Sequence, residues 1–558
     1  MSSLKRFVMC LLCSVALPAQ QVVHINANAS KSVGPYKPIY AWFGYDEANY
    51  TTAPNGQKLL REMHDLAPVP VYVRAHHLLT SGNGVPELKW SSTGIYTLGP
   101  NGKPAYDFKI VDGIFDAWKA AGVRPMVELG FMPKDLAADR GPAHEPYQVH
   151  YPKSTISGSV NNPPKDYAAW QELSRVLTAH LVQRYGREEV LRWYFEVWNE
   201  PDIDYLHGTV EEYCKLYDYA VAGVRAALPG AVVGGPATTG PSGKHAGDYL
   251  RTFLTHVSTA KSEANGKPIP LDFISFHAKG SPKIVDGKVT MGITHELQDA
   301  DHGFEIVHSF PRFAHLPIIL SEADPEGCAA CSSKVNPANN YRNGTLYPAY
   351  TAAAYKGLFE LADRRDVNLI SMLSWSFEFE DKDYFEGFRS LATNGVDKPA
   401  LSFFRMAGMM SGSRVAVTSD GQVPLDTQLT TGVRASADVD ALATRGDHEA
   451  AVMLWNYHDA EQTGAAERTE VNITGLPPAV HRVLLQHFRI DSSHSNAYTV
   501  WQAMGSPQHP TADQQKQLEA SAGLELLHAP EWMDVSNGTV HVTTDMPRES
   551  VSLLRLTW

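Results

Sequence analysis

Cysteine is scarce in this chain of 558 residues, which contains only five. Cys10 and Cys13 lie close to the N-terminus, which leaves Cys214, Cys328 and Cys331 for the rest of the sequence. Three cysteines are too few for a disulfide-rich scaffold, and no second pair with zinc-ligand spacing accompanies Cys328 and Cys331. These two residues are therefore expected to form a local disulfide that pins a loop, with two free thiols as the alternative.

Positive charge is also in short supply. The 48 Lys and Arg residues face 61 Asp and Glu residues, which gives a formal net charge of −13. A polyanion would be repelled, so nucleic acid is not an expected partner. The 43% hydrophobic and 20% charged residues are ordinary for a folded protein with a large core, but 11 Trp and 24 Tyr are more aromatics than core filling usually needs.

Long hydrophobic runs are missing as well. The apolar run Phe7–Leu17 has eleven residues, follows Lys5 and Arg6, and precedes small residues up to Ala19. This run is too short to span a bilayer and has the form of a secretory signal. We therefore predict a signal peptide over residues 1–19, no membrane span, and export of the mature chain to the periplasm or beyond the cell. An anchoring or buried helix is the alternative.

From residue 36 to 415, short β-rich segments alternate with longer segments of helical periodicity. Eight such units in succession predict a (β/α)8 TIM barrel, an α/β fold whose chemistry takes place at the carboxyl ends of the strands. The predicted strands are Ile39–Phe43, Val71–His76, Arg124–Leu129, Trp193–Trp198, Val232–Gly234, Phe273–His277, Ile318–Ser321 and Ile370–Trp375.

The pattern changes after the barrel. Over residues 416–558, short alternating segments are separated by Gly, Pro, Asn and Asp turns, and helical spacing largely disappears. This pattern predicts a C-terminal all-β sandwich. Residues 20–35 alternate in the same way, so they are expected to add a strand to that sandwich.

Two glutamates directly follow predicted strands. Glu200 follows the fourth strand in Trp198-Asn199-Glu200-Pro201, and Glu322 follows the seventh in Ser321-Glu322-Ala323-Asp324. At the carboxyl end of a barrel they would face each other across a bound sugar, and glycoside hydrolysis requires such a pair of carboxyl groups. Each glutamate taken alone could instead be a solvated loop charge or a helix cap.

These motifs resemble those of glycoside hydrolase family 39, the family of retaining β-xylosidases and α-L-iduronidases. The matching segments are Tyr72–His76, Pro125–Pro133, Phe195–Asp202, Ser275–His277, Ser321–Cys328, Arg489–Asp491, His494–Tyr498 and Met504–Pro507. The resemblance covers nearly the whole mature chain, and from Glu322 to Thr345 it is strongest to bacterial β-xylosidases of the family.

The resemblance implies roles for individual residues. Glu200 would be the acid/base and Glu322 the nucleophile of a retaining mechanism. Arg74 would hold the nucleophile ionised, or else be a surface ion-pair partner. Asn199 would bind the sugar 2-hydroxyl, or else only shape the turn before Pro201.

Further candidates for substrate binding lie at other strand ends. His76 and His277 would donate to sugar hydroxyls or to the carboxylates, although a histidine at a strand end is as often a satisfied core residue. Trp375 would form an aromatic platform beneath the sugar ring. Trp42 and Trp198 are weaker aromatic candidates, and for Trp42 a place in the core is favoured.

Lys279 departs from the β-xylosidase pattern, which often has Tyr at this position. The iduronidase branch has Lys there, where it pairs with the substrate carboxylate, and Arg389 is a second candidate for that contact. The alternative role of Lys279 is to hold Glu322 ionised by its proximity.

The leading prediction is a secreted hydrolase for xylan degradation, a retaining exo-β-xylosidase acting on xylo-oligosaccharides. An α-L-iduronidase, or another uronic-acid or α-L-arabinoside glycosidase, is the alternative. A non-catalytic carbohydrate-binding protein is a remote third possibility. No metal or organic cofactor is implied, and the oligomeric state is left open.

Overall fold

The computed structural model describes residues 22–84, 91–140, 161–328, 331–379 and 382–558. The predicted signal peptide, residues 1–19, lies outside the described residues. Within the described part of the chain, no helix combines the length and apolar character that a membrane-spanning segment requires.

The predicted (β/α)8 barrel is confirmed. Its parallel strands are Trp42–Tyr45, Tyr72–Ala75, Arg124–Leu129, Tyr194–Val197, Val232–Thr238, Phe273–Lys279, Pro317–Asp324 and a split eighth strand, Asn368–Met372 with Ser374–Trp375. The first half of the eighth strand pairs with the seventh, and its second half pairs with the first. The split therefore lets one short stretch of chain close the barrel.

The fifth, sixth and seventh strands end later than the sequence predicts. The sixth and seventh strands stay paired through Ala278 with Ala323 and Lys279 with Asp324. Glu322 is opposite His277 in the same ladder. Several candidate site residues thus belong to the rigid sheet and not to the loops that follow it.

One long helix follows each strand and covers the barrel. These helices are Pro54–His64, Lys109–Ala121, Tyr167–Tyr185, Val210–Ala227, Lys244–Thr259, Ile293–His308, Leu346–Arg365 and Pro399–Gly408. The helix after the fourth strand starts at a capping box. The Thr209 side chain accepts a hydrogen bond from the Glu212 backbone N–H, and the Glu212 side chain accepts one from the Thr209 backbone N–H. Such caps typically contribute about 1 kcal/mol, and here the cap fixes where the loop after Glu200 ends.

The C-terminal sheet also includes a strand from the N-terminus. Its main strands are Val23–Pro35, Ser413–Ser419, Asp438–Arg445, Glu449–Tyr457, Glu467–Thr474, Arg482–Ile490, Val540–Met546 and Ser550–Thr557, with short edge strands Glu525–Leu526 and Glu531–Asp534. Val23–Pro35 is antiparallel to Ser413–Ser419 and parallel to Glu467–Thr474.

Three helices, Leu425–Thr430, Ala497–Ala503 and Ala512–Ala522, interrupt this sheet-rich domain, although the sequence analysis predicts only strands there. The start signals of the last two are present in the sequence: the side chain of Asn496 caps Ala497–Ala503, and Thr511 with Gln514 forms a capping box on Ala512–Ala522. The last helix has few buried residues, so its apolar periodicity is weak.

The two faces of the C-terminal sheet pack against different partners. Leu454 and Leu554 belong to the internal core of the domain, whereas Met453 and Leu553 join the core of the barrel. The barrel helix Leu346–Arg365 lies against this second face and is buried along most of its length. The barrel core therefore continues onto one face of the C-terminal sheet, while the other face packs in a core of its own.

Candidate active site

Glu200 and Glu322 lie together at the carboxyl end of the barrel. One carboxylate oxygen of each and one ring nitrogen of His277 all lie within 4.8 Å of one another. Glu200 and Trp198 have φ angles of 44° and 72°, in the left-handed region that non-glycine residues seldom occupy. Such residues persist at functional sites when their surroundings hold them, and here the Glu200 N–H donates to the Ala237 carbonyl at 2.8 Å.

Positive groups surround Glu322. Its carboxylate lies 2.8 Å from Lys279 Nζ, 3.2 Å from Arg74 Nη1 and 3.5 Å from His76 Nε2. Burial alone would raise the pKa of Glu322, but the attraction of Lys279, His277 and His76 outweighs it and holds the pKa well below its usual range. Glu322 is therefore ionised at neutral pH, as a nucleophile must be.

Arg74 is completely buried and makes contact with several acidic and polar groups. Its Nε donates to Glu196 at 2.5 Å, and its Nη2 lies 2.9 Å from both Glu128 and Asn199. Burial opposes its charge, but the attraction of Glu196, Glu128 and Glu322 raises the pKa of Arg74. The guanidinium thus orients Glu322 and Asn199 from beneath, out of reach of a ligand in the cavity.

His76 lies between acidic groups of the barrel end. Its Nδ1 is 2.6 Å from Glu128, and its Nε2 is 3.7 Å from Asp46 and 3.5 Å from Glu322. Burial would lower the pKa of His76, but the attraction of Glu128 and hydrogen bonds to Glu128 and Glu322 raise it to about 9. The imidazole is therefore a cation at neutral pH.

This raised pKa predicts a pH-dependent contribution to stability. Because the folded-state pKa of about 9 exceeds the ordinary 6.5, His76 stabilises the fold fully below pH 6.5, and this stabilisation is lost as the pH rises through 9. We expect the difference in unfolding free energy between the wild type and His76→Gln to fall by about 3 kcal/mol over that interval. Urea denaturation at a series of pH values measures it.

His487 offers a matched buried control. Burial and then the nearby Arg489 lower its pKa to about 3, so the ring is neutral in folded and unfolded chains at alkaline pH. The difference between the wild type and His487→Gln should therefore stay constant above pH 7.5. A constant difference for His76→Gln as well would contradict the charged state assigned to His76.

His277 connects the two glutamates. Its Nδ1 lies 2.8 Å from Glu200 Oε1, and its Nε2 lies 3.9 Å from Glu322 Oε1. The ring is buried, while 17% of the Glu200 side chain is exposed. His277 therefore fixes the Glu200 carboxyl from below, and Glu200 itself faces the cavity.

Asp324 is a site residue whose role the sequence analysis missed. Its carboxylate accepts from Lys279 Nζ at 2.5 Å and lies 3.1 Å from Arg389 Nε. The sequence contains a signal for this role. Residues two apart on a strand point to the same face, and Asp324 lies two residues after Glu322 in the seventh strand, so both carboxylates are expected on one face. Both cations considered for a substrate carboxylate thus already have a partner in the protein.

Glu128 and Glu196 were also missed. They lie in the third and fourth strands, and both are fully buried. Burial raises the pKa of Glu128 despite the nearby His76 and Arg74. Acidic residues inside apolar strands are rarely buried without a cation, and this was the sequence signal that could have linked them to Arg74.

The site opens into a cavity of about 280 Å³. Its lining residues are Asp46, His76, Asn199, Glu200, Ile203, Tyr205, Glu322, Glu326, Gly327, Cys328, Trp375 and Arg389. The disulfide between Cys328 and Cys331 is present and closes the loop after the seventh strand. A larger cavity of about 580 Å³ lies in the C-terminal domain, lined by residues between Arg468 and Pro547.

The candidate aromatic residues occupy different positions. Trp375 lines the cavity, and the centroid of its ring lies 4.2 Å from that of the His76 ring. The indole packs against Gly44, where a Cβ atom would collide with it. Trp198 is buried and donates its indole N–H to the Tyr205 carbonyl. Trp42 begins the first strand instead of ending it, so it stacks on Tyr72 at the opposite end of the barrel.

Glu200, His277 and Glu322 also have the spacing of metal ligands. However, Lys279 and Arg74 lie 2.8 and 3.2 Å from the Glu322 carboxylate and already supply its positive partners. A further cation would be repelled by both groups. The arrangement is better suited to an ionised nucleophile beside a carboxyl group that can exchange a proton.

Comparisons with known proteins agree with this geometry. The profile of Glycosyl hydrolases family 39 matches residues 61–525. A β-xylosidase of Geobacillus stearothermophilus is 27% identical over 505 residues, covering 87% of this chain and 86% of that protein. An α-L-iduronidase of Canis lupus familiaris is 27% identical over 394 residues, covering 63% of this chain and 54% of its own length.

Among solved structures, a monomeric β-xylosidase from Caulobacter crescentus has the same fold. It superimposes with a TM-score of 0.74 at 22% identity, covering 96% of this chain and 99% of that one. The similarity extends through both the barrel and the C-terminal sheet.

Proposed function

The chain belongs to glycosyl hydrolase family 39, and we propose that it is a retaining exo-β-xylosidase that releases D-xylose from the non-reducing ends of xylo-oligosaccharides. The observation that carries the retaining glycosidase activity is the separation of at most 4.8 Å between one oxygen of Glu200 and one of Glu322. Retaining glycosidases place their carboxyl groups about 5–5.5 Å apart, whereas inverting enzymes leave roughly 6.5–9.5 Å for a water molecule.

In the first step, Glu322 attacks the anomeric carbon of the terminal sugar while Glu200 donates its proton to the departing glycosidic oxygen. The carbon–oxygen bond to the leaving group breaks as a covalent ester to Glu322 forms. Lys279 and Arg74 keep Glu322 ionised for the attack, and Asn199, held by Arg74, is placed to bind the 2-hydroxyl.

In the second step, the ionised Glu200 takes a proton from water, whose oxygen attacks the anomeric carbon and displaces Glu322. The two inversions give net retention of configuration. His277, which contacts Glu200 at 2.8 Å, keeps the carboxyl group in place for both proton transfers.

Three observations support a neutral pentose as the substrate. The cavity of about 280 Å³ is at the lower end of ligand pockets, which suits one terminal sugar and exo action. Lys279 and Arg389 face two carboxylates of the protein, Glu322 and Asp324, so their two charges are compensated without a substrate carboxylate. The similarity to the β-xylosidase also spans more of this chain, 87%, than that to the α-L-iduronidase, 63%.

An α-L-iduronidase is the second candidate, because Lys279 and Arg389 do stand beside the nucleophile. Side-by-side rates on an aryl β-D-xyloside and an aryl α-L-iduronide separate the two functions. We expect cleavage of the xyloside, with β-xylose as the first anomer observed by proton NMR. Cleavage of the iduronide alone would refute the β-xylosidase proposal, and α-xylose as the first product would refute retention.

We further propose that the chain is exported. The support is the charged, apolar and small-residue pattern of residues 1–19 together with the Cys328–Cys331 disulfide, a bond typical of oxidising compartments. N-terminal sequencing of the protein recovered from the periplasm or culture medium tests this, with a mature start near Gln20 as the expected result.

A further inference from the structure

Residues 497–522 of the C-terminal domain, which we call the helical insert, pack against the barrel. The insert contains the helices Ala497–Ala503 and Ala512–Ala522. A small apolar cluster joins it to the barrel, and the buried members of this cluster are Phe385, Val396, Ala497, Trp501, Leu518 and Ala522. Phe385 and Val396 lie between the eighth strand and the last barrel helix, Pro399–Gly408. The insert therefore contacts the barrel segment that follows the carboxyl end of the eighth strand.

Phe385 has a left-handed backbone conformation, with a φ angle of 51°. Residues with a bulky side chain rarely adopt this region, and they persist there only when their surroundings hold them. The Phe385 ring contacts two aromatic side chains of the insert, and its centroid lies 5.3 Å from that of Tyr498 and 5.1 Å from that of Trp501. Its N–H donates to Thr393 Oγ1 at 3.1 Å. The insert thus holds the ring, while the barrel holds the backbone.

The insert also bonds to the residue before Phe385. The Tyr384 N–H donates to Gln508 Oε1 at 2.7 Å, and Gln508 Nε2 donates to the Tyr384 carbonyl at 3.4 Å. The Tyr384 hydroxyl donates to Gln515 Oε1 at 3.0 Å. A side-chain amide that pairs with both backbone groups of one residue fixes that residue much as a neighbouring strand would. The conformation at residues 384 and 385 is therefore set largely by the C-terminal domain.

Arg389 follows Phe385 by four residues and lines the catalytic cavity. Its Nε lies 3.1 Å from the Asp324 carboxylate, and its Nη2 lies 3.8 Å from Glu322 Oε2. The backbone angle at Phe385 sets the direction in which this short stretch of chain leaves the insert. A change of that angle would therefore displace the Arg389 guanidinium from the two carboxylates.

Asn343 connects the same segment with the loop after the seventh strand. Its Nδ2 donates to the Phe385 carbonyl at 2.9 Å. The neighbouring Arg342 is fully buried and donates to the Cys328 carbonyl at 2.9 Å and to the Gly387 carbonyl at 3.4 Å. Cys328 lines the catalytic cavity. The loops after the seventh and eighth strands are therefore braced against each other, and both depend on the position of Phe385.

Among the described residues that line the catalytic cavity, none belongs to the helical insert. We propose that the insert is a positioning element for the nucleophile: it holds Phe385 in its left-handed conformation and so keeps Arg389 beside Glu322 and Asp324. The C-terminal domain thus takes part in catalysis without lining the cavity. This inference rests on the proposed glycosidase function and adds residues that act on the nucleophile from a second domain.

Glycine and alanine at position 385 separate conformation from packing. Both changes remove the ring, but glycine accepts a positive φ angle without strain and alanine does not. We expect kcat/KM for a dinitrophenyl β-D-xyloside to fall ~20-fold in Phe385→Ala and only ~4-fold in Phe385→Gly, because the left-handed conformation is unfavourable for alanine. A packing role alone predicts the reverse order, since glycine fills less space and leaves the chain more flexible.

Gln508→Ala tests the insert from its own side. Gln508 is exposed and lies outside the apolar cluster, so its truncation leaves that cluster intact. We expect kcat/KM to fall ~3-fold, as two hydrogen bonds to the Tyr384 backbone are lost. Gln502→Ala is the matched control, because Gln502 is equally an exposed residue of the insert and, among the described residues, its side chain forms no hydrogen bond to the barrel. This control should keep the wild-type kcat/KM.

A double-mutant cycle shows whether the effect passes through Arg389. In an Arg389→Ala background, Phe385→Ala should cost less than ~3-fold, since the side chain that Phe385 positions is absent. The readout is the rate at which a dinitrophenyl 2-deoxy-2-fluoro-β-D-xyloside labels Glu322, followed by mass spectrometry.

Three results would overturn the inference: a full ~20-fold loss in both backgrounds, no more activity in Phe385→Gly than in Phe385→Ala, or equal rates in Gln508→Ala and Gln502→Ala. A wild type that is not labelled at Glu322 would instead refute the proposed function.

Discussion

Replacing Glu322 by alanine is expected to lower kcat on xylosides at least ~10⁴-fold, because the covalent intermediate can no longer form. Added azide should partly restore turnover by occupying the space of the lost carboxylate. Azide then attacks the same face of the sugar that Glu322 would have attacked, so the product is α-xylosyl azide. Product analysis by NMR identifies the anomer.

A buried carboxyl outside the cavity gives the control for this experiment. Burial raises the pKa of Glu296 to about 8 in spite of its hydrogen bond to Tyr350, so this group is largely neutral at pH 7 and resembles glutamine. Glu296→Gln should keep wild-type turnover within a few fold. Formation of β-xylosyl azide by Glu322→Ala would contradict its assignment as the nucleophile.

Replacing Glu200 by alanine should affect substrates according to their leaving groups. We expect kcat/KM on xylobiose to fall ~10³-fold, since the departing sugar needs a proton, but that on a dinitrophenyl xyloside to fall much less. Hydrolysis of the intermediate also slows without a base, so the dinitrophenyl xyloside should show a burst of phenol. Stopped-flow absorbance measures the burst.

Azide distinguishes this variant from Glu322→Ala. Because Glu322 is intact, azide attacks the covalent intermediate from the face that Glu200 vacates, and β-xylosyl azide forms. Equal losses on xylobiose and the dinitrophenyl xyloside would count against Glu200 as the acid.

The barrel and its two glutamates could be predicted because each depends on local pattern. The strands of a parallel barrel are recognisable in sequence as short apolar runs. A polar residue at the carboxyl end of such a strand is expected to lie at the face of the barrel that carries the active site. All eight strands lie where the sequence predicts them, although the fifth to seventh end later and the eighth is split, and Glu200 and Glu322 do face each other. Their surroundings were harder to foresee, since Arg74 meets Glu128, Glu196, Glu322 and Asn199 only through the closure of the barrel.

The roles of Lys279 and Arg389 show where pattern alone is insufficient. From its sequence position, Lys279 could bind a substrate carboxylate or hold Glu322 ionised, and Arg389 was a second candidate for the substrate carboxylate. The structure adds Asp324, which pairs with both cations from within the seventh strand. Whether a charge is free for a ligand depends on its neighbours in space, and these belong to three different parts of the chain.

The strand Val23–Pro35 has a consequence for the order in which the chain can fold. It is synthesised before the barrel, yet its neighbours, Ser413–Ser419 and Glu467–Thr474, are made about four hundred residues later. The barrel can therefore assemble while this segment still waits for its partners. Because the strand lies inside the sheet and not at its edge, a recombinant chain that starts after Pro35 would lose the strand that joins Glu467–Thr474 and Val540–Met546 to the rest of the C-terminal sheet.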